Sequence, residues 1–249
     1  MVMILLNILI LKICSKTIKM KLQIPKKINS LVQYLESKQN ISVNELLWSI
    51  KSLNINLSDI GDYINFNHDI HESYGRSVIY ESNKVEIVLM SWNKEDYTSI
   101  HDHGYAQFGA VYSFGDIQNN YFKIENNTLK KVNETILKKG EITIIDNNSI
   151  HQMGNPYKKP TLSLHVYYTN KNVKSVTGEA RNFDLYSQTV YRANGGAFLD
   201  IPKKDIVSTE NCPGFDNKMY DNYLKILQQF LNKNSHKSIS GKLRSFVQN

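Results

Sequence analysis

Leu31, Tyr34 and Leu35, and then Leu46, Leu47, Ile50 and Leu53, recur at three- and four-residue spacing, which predicts helices over 28–38 and 43–53. Ser42 followed by Glu45 reads as a capping box that starts the second. A short third helix is expected over 57–64. From residue 75 the texture changes. GRSVIY, KVEIVLMSW, AQFGAVYSF, IQNNYFKI, TLKKVNETIL, EITIID and TLSLHVYYTN are short runs rich in β-branched and aromatic residues. Turn residues such as Ser82-Asn83, Gly115-Asp116, Asn126-Asn127 and Asn147-Asn148 separate them. Strands at this spacing, without intervening helices, predict an antiparallel sandwich or barrel. ARNFDLYS and QTVYRA add two strand-like stretches, followed by the Gly195-Gly196 turn and a Pro-containing loop. Met219, Tyr223, Leu227 and Phe230 then mark one side of a final helix at about 216–232.

With 249 residues, no internal repeat and no long linker, the chain reads as one domain over 28–232. Its parts are a helical region at 28–66, a barrel at about 74–200 and the last helix. Residues 1–27 read as a basic, apolar leader outside the fold, and 233–249 as a basic tail. The net charge of +7 concentrates in those ends. The first 30 residues and residues 232–249 carry ten Lys or Arg and no acid, which leaves 31–231 near −3. Solvated tails of this kind argue against a nucleic-acid groove. The apolar start MVMILLNILILKIC lacks a basic n-region, is interrupted by Asn7 and is too short to span a bilayer, so no stable membrane insertion is expected. Met20 is a candidate alternative start. Two cysteines, Cys14 and Cys212, make no disulfide framework, so a reducing, cytoplasmic setting is expected. A monomer is the default expectation, although the sequence itself is silent on oligomeric state.

The candidate chemistry lies in Ser99-Ile100-His101-Asp102-His103-Gly104. Residues i and i+2 of a strand face one side, so His101 and His103 would project together into a barrel and could share a divalent metal. Alone, the pair is weak evidence. A second stretch strengthens it: His151 stands eleven residues after Gly140, and Asn155 four residues later. This spacing resembles the second cupin motif, with Asp146 and Asn148 replacing its usual proline and second glycine, and His101-x-His103 followed by Gly115 resembles the first. Where many cupins place a glutamate ligand, Gln107 or Phe108 stands here. Three neutral imidazoles bind zinc, copper, iron or nickel, so the ligand set alone does not choose the metal.

Tyr74-Gly75-Arg76, Ser91-Trp92, Ser99-Ile100-His101-Asp102-His103 and Ser163-Leu164-His165-Val166-Tyr167 resemble cysteine dioxygenase in order and interval, over roughly residues 30–170. The resemblance implies a mainly β cupin, a double-stranded, jelly-roll-like β-helix, with an N-terminal helical subdomain and a C-terminal helix. It implies Fe(2+) on His101, His103 and His151, and Arg76 on the substrate carboxylate with Tyr74 beside it. Tyr167 becomes the active-site tyrosine, with His165 and Ser163 as a relay behind it. The implied reaction takes L-cysteine and O2 to cysteine sulfinate. In animal members a cysteine five residues after the second histidine is cross-linked to that tyrosine. The position counted here is Phe108, so no cross-link is expected. Competing readings are a dioxygenase of 3-mercaptopropionate or cysteamine, a tris-histidine cupin with unrelated chemistry, and a non-catalytic metal-binding cupin. His68, His71 and His236 have no such context and read as surface residues.

Overall fold

Amphipathic helices form where the apolar spacing places them. In the computed structural model, which describes residues 22–233, α1 (Lys26–Ser37) buries Ile28, Leu31, Val32 and Leu35. α2 (Val43–Ser52) buries Leu46 and Ile50 and opens on the Ser42/Glu45 capping box, with the Ser42 amide donating to Glu45 at 2.7 Å. A single turn, α3 (Leu57–Ile60), continues into a 3-10 turn at Gly61–Tyr63. Order begins before Ile28. Ile24 packs on the core, and Lys27 bonds to Asp59 at 2.8 Å. The expectations for residues 1–21, Cys14, Met20, His236 and 234–249 lie outside the described residues.

Among the described residues thirteen strands follow, in two antiparallel sheets. β1 (Gly75–Glu81), β2 (Val85–Trp92), β10 (Thr161–Tyr168), β5 (Phe108–Ser113) and β8 (Ile142–Asp146) form the first, in that order. The second runs β13 (Ile206–Asn211), β12 (Thr189–Ala193), β11 (Ala180–Asp184), β4 (Ile100–His101), β9 (Ile150–Asn155), β6 (Ile117–Glu125) and β7 (Thr128–Leu137). The short β3 (Asp96–Tyr97) also pairs with β9. Together they make a jelly-roll-like barrel.

β2 and β10 are buried along their whole length because both faces are covered. Outward, Ile87, Leu89, Leu164, Val166 and Tyr168 pack with Leu31, Leu35, Leu46 and Ile50 of the helices. Each large side chain so buried contributes about 1.5–3 kcal/mol. Inward, register aligns Ser163 with Met90, His165 with Val88 and Tyr167 with Glu86. The N-terminal helices therefore clamp the sheet that carries these groups.

Residues beyond about 172 belong to the barrel itself. β11 pairs with β4, setting Asn182 opposite His101, and Arg181 bonds to Asp102 at 2.6 Å. α4 (Asn217–Lys233) packs Met219, Tyr223, Leu227, Phe230 and Leu231 against Ile100, Phe122 and Phe183. β13 occupies part of the stretch that read as a loop. It is an exposed edge strand, so its sequence carries no alternating apolar signal. β9 went unread as a strand for a related reason: five of its six residues, His-Gln-Met-Gly-Asn, lack β-branched and aromatic character although all are buried. Among the described residues no helix is long and apolar enough to cross a membrane.

Candidate active site

The first sheet supplies Ser163, His165 and Tyr167, and the second, with the residues just after β4, supplies the three clustered imidazoles. His101 on β4 is the register partner of His151 on β9, so the two rings face the same side. His103 follows two residues later, and the three ring centroids lie 4.6–5.1 Å apart. Their ligating nitrogens fall within 4.8 Å of one another, and all three residues are buried. His101 donates from Nδ1 to the Ser99 carbonyl at 3.0 Å, and His151 from Nδ1 to Asn119 Oδ1 at 2.9 Å. Each neutral ring then presents a bare Nε2 to the interior. Burial holds all three below the ordinary histidine range, with neighbouring imidazoles adding to the effect at His103 and His151. The Nε2 atoms of His103 and His151 stand 3.1 Å apart. Nitrogens about 2.1 Å from one ion at right angles would be about 3 Å apart. The donors present therefore fit a divalent metal, with His101, His103 and His151 as its protein ligands.

Tyr167 stacks over His103, with centroids 5.2 Å apart. Behind it runs a buried chain: Trp92 Nε1 to Ser163 Oγ at 2.9 Å, Ser163 Oγ to His165 Nε2 at 2.8 Å, and His165 Nδ1 to Tyr167 Oη at 3.0 Å. Its direction follows from donor inventory. An indole N–H only donates, so Ser163 accepts from it and donates its own O–H to His165 Nε2. Burial, with His101 and Arg76 adding to it, pushes the His165 pKa down to about 3, so the ring is neutral and its remaining N–H donates to Tyr167. The Tyr167 O–H is thereby left free of His165 and able to donate to another acceptor. Burial, reinforced by Glu86, raises the pKa of that phenol and keeps it protonated.

Arg76 and Tyr74 enter from β1 and the residue before it. Tyr74 is fully buried, stacks on Trp92 at 4.9 Å and accepts from the Ala197 amide at 3.1 Å. Burial pushes its pKa up to about 12. Arg76 keeps 15% of its side chain exposed and is ion-paired through Nη2 to Glu86. The second oxygen of Glu86 accepts from the Thr177 hydroxyl at 2.6 Å. Next to Thr177, Val176 packs on Tyr167 and Ala106. The segment after β10 thus lies against the site.

Two expectations need correction. Phe108 does not face Tyr167: it points outward, lies against Tyr168 with the two rings tilted, and packs under the helices. Gly109 is the register partner of Tyr167, and a Cβ there would meet the tyrosine ring at 2.6 Å. Counting along the chain ignored the strand's facing, so the position opposite the tyrosine was missed by one residue. His68 is no surface residue either. Its side chain is 14% exposed and bonds Asp96 at 3.3 Å. His71 is half-exposed beside Asp200. Cys212 packs near α4, among apolar residues outside the barrel interior. Asn119, Glu86 and Thr177 escaped the sequence reading. The signal for Glu86 was there, as the lone acid inside an apolar strand run. Nothing local marks Asn119 or Thr177.

A family model described as cysteine dioxygenase type I matches residues 14–174. Among solved structures, a protein with a double-stranded β-helix domain from Klebsiella pneumoniae aligns at 18% identity and a TM-score of 0.36, covering 46% of this chain and 90% of its own. A cupin domain from Bordetella pertussis aligns at 13% identity and a TM-score of 0.31, covering 39% and 93%. At scores this low the family match carries the identification. The architecture is the mainly β cupin.

Proposed function

The chain belongs to the cysteine dioxygenase type I family, and we propose that it is an Fe(2+)-dependent dioxygenase converting L-cysteine and O2 to cysteine sulfinate. The observation that carries this reading is the convergence of three buried, neutral imidazoles in a barrel that also holds a partly buried arginine and a donating tyrosine. His101, His103 and His151 would hold the iron. When bound, iron would supply Lewis acidity toward a thiolate and a path by which the thiol sulfur gives up the four electrons that dioxygen takes. Arg76 would bind the substrate carboxylate through guanidinium N–H groups not engaged by Glu86, which suits a planar, charge-assisted contact. Tyr167, ordered by His165, Ser163 and Trp92, would donate its proton in a hydrogen bond to substrate or oxygen-derived atoms. Val176 and the apolar barrel wall would exclude water. A reducing, cytoplasmic setting would keep the substrate thiol free.

The test is oxygen consumption by iron-loaded protein across L-cysteine, 3-mercaptopropionate and cysteamine, with labelled dioxygen. Both label atoms should appear in cysteine sulfinate, and His101→Ala, His103→Ala or His151→Ala should each lose tight iron binding. Oxidation of none of the thiols would overturn the reading. Full iron occupancy in all three variants would remove the ligand assignment.

A further inference from the structure

Glu86 is the unexplained group of the interior. It is 1% exposed, sits in a strand whose other residues are uncharged, and is the register partner of Tyr167, which stacks over His103. One carboxylate oxygen accepts from Arg76 and the other from Thr177. An ionised carboxylate offers about four lone-pair directions, so two remain for further donors. Its charge also raises the pKa of Tyr74 and Tyr167, which places it electrically within the site.

We propose that Glu86 is a selectivity residue that favours a thiol carrying both an amino group and a carboxylate over the same thiol without the amine. The inference rests on the dioxygenase reading above. Arg76 alone would attract both kinds of substrate equally, since each carries a carboxylate. Glu86 breaks that equivalence in two ways. It offers an acceptor to amine N–H groups, which a mercapto acid cannot supply. It also shares Arg76, so a second carboxylate meets a like charge that only an amine would offset. Thr177 keeps the Glu86 carboxylate oriented and so acts as a positioning residue.

The experiment compares kcat/KM for L-cysteine and 3-mercaptopropionate on full-length, iron-loaded wild type, Glu86→Gln and Thr177→Val, with thermal melts alongside. A charge-assisted hydrogen bond to one substrate of a pair discriminates by about tenfold or more. The cysteine preference should therefore fall by at least about tenfold in Glu86→Gln, with KM for 3-mercaptopropionate falling while that for cysteine rises. Thr177→Val should move the ratio the same way by about two- to fivefold. Equal losses for both substrates, or an unchanged ratio, would reduce Glu86 to a structural counter-ion and overturn the proposal. Should Glu86→Gln fail to fold, Thr177→Val decides, and an unmoved ratio there overturns it. Wild-type protein that oxidises neither thiol would instead remove the dioxygenase reading, and this inference with it.

Discussion

Replacing Asn119 by alanine tests how the barrel prepares His151 for a metal. Asn119 is fully buried on β6, accepts from His151 Nδ1 at 2.9 Å and donates to the Tyr121 hydroxyl at 2.8 Å. The first contact fixes which ring nitrogen carries the proton, and so leaves Nε2 bare beside His103 and His101. Partners behind a ligating histidine are typically worth 10–100-fold in metal affinity, or about 1.4–2.8 kcal/mol. A buried Nδ1–H without an acceptor costs a further roughly 1–3 kcal/mol of stability in the metal-free protein. Asn119→Ala should therefore weaken iron binding at least about tenfold in chelator competition and lower the apo melting temperature. Asn119→Asp keeps an acceptor and should retain affinity. Iron affinity in Asn119→Ala within about twofold of wild type would refute the argument that this hydrogen bond prepares the ligand.

Three further outcomes follow from the same contacts. Gly109→Ala places a methyl 2.6 Å from the Tyr167 ring and 3.0 Å from the Val166 carbonyl. It should displace the tyrosine and lower kcat about tenfold, while Gly61→Ala, with nothing within 4 Å, should not; equal activity in both variants would contradict this packing. Arg76→Lys keeps the charge but loses the planar fork, and should raise KM for cysteine about 30-fold or more, since truncated buried charge pairs cost roughly 2–5 kcal/mol. An unchanged KM would put the carboxylate elsewhere. Burial disfavours the charged form of His68, yet bonds to Asp96 and the Asp69 carbonyl outweigh it, so its pKa is raised. Its contribution is complete below the unfolded histidine value, about 6.5, and is lost as pH rises through the folded value. His68→Gln should accordingly lower the melting temperature more at pH 5.5 than at pH 8, and an equal loss at both would argue against the ion pair.

Much of the site was legible because its signals are local. His101-x-His103 needs only strand periodicity, and Ser163, His165 and Tyr167 share a face by the same rule. The Ser42/Glu45 cap and the apolar spacing of α1, α2 and α4 are likewise written within a few residues. His151 could be reached through its spacing from Gly140, although the strand that carries it lacks strand-like residues. Phe108 was misplaced because a register error of one residue reverses facing.

By itself the sequence determined the helices, most strand runs, the histidine constellation and the family. Each depends on periodicity or spacing that neighbouring residues set through backbone geometry. Only the tertiary structure decided that Gly109 rather than Phe108 meets Tyr167, and that Asn119 holds His151. It also decided that Glu86 joins Arg76 to Thr177 and that β11 completes the sheet beside His101. These relations join residues up to 91 positions apart. They arise when two sheets close around one core, where a buried charge or N–H must find its partner across the barrel, and nothing in the local chain marks which partner that will be.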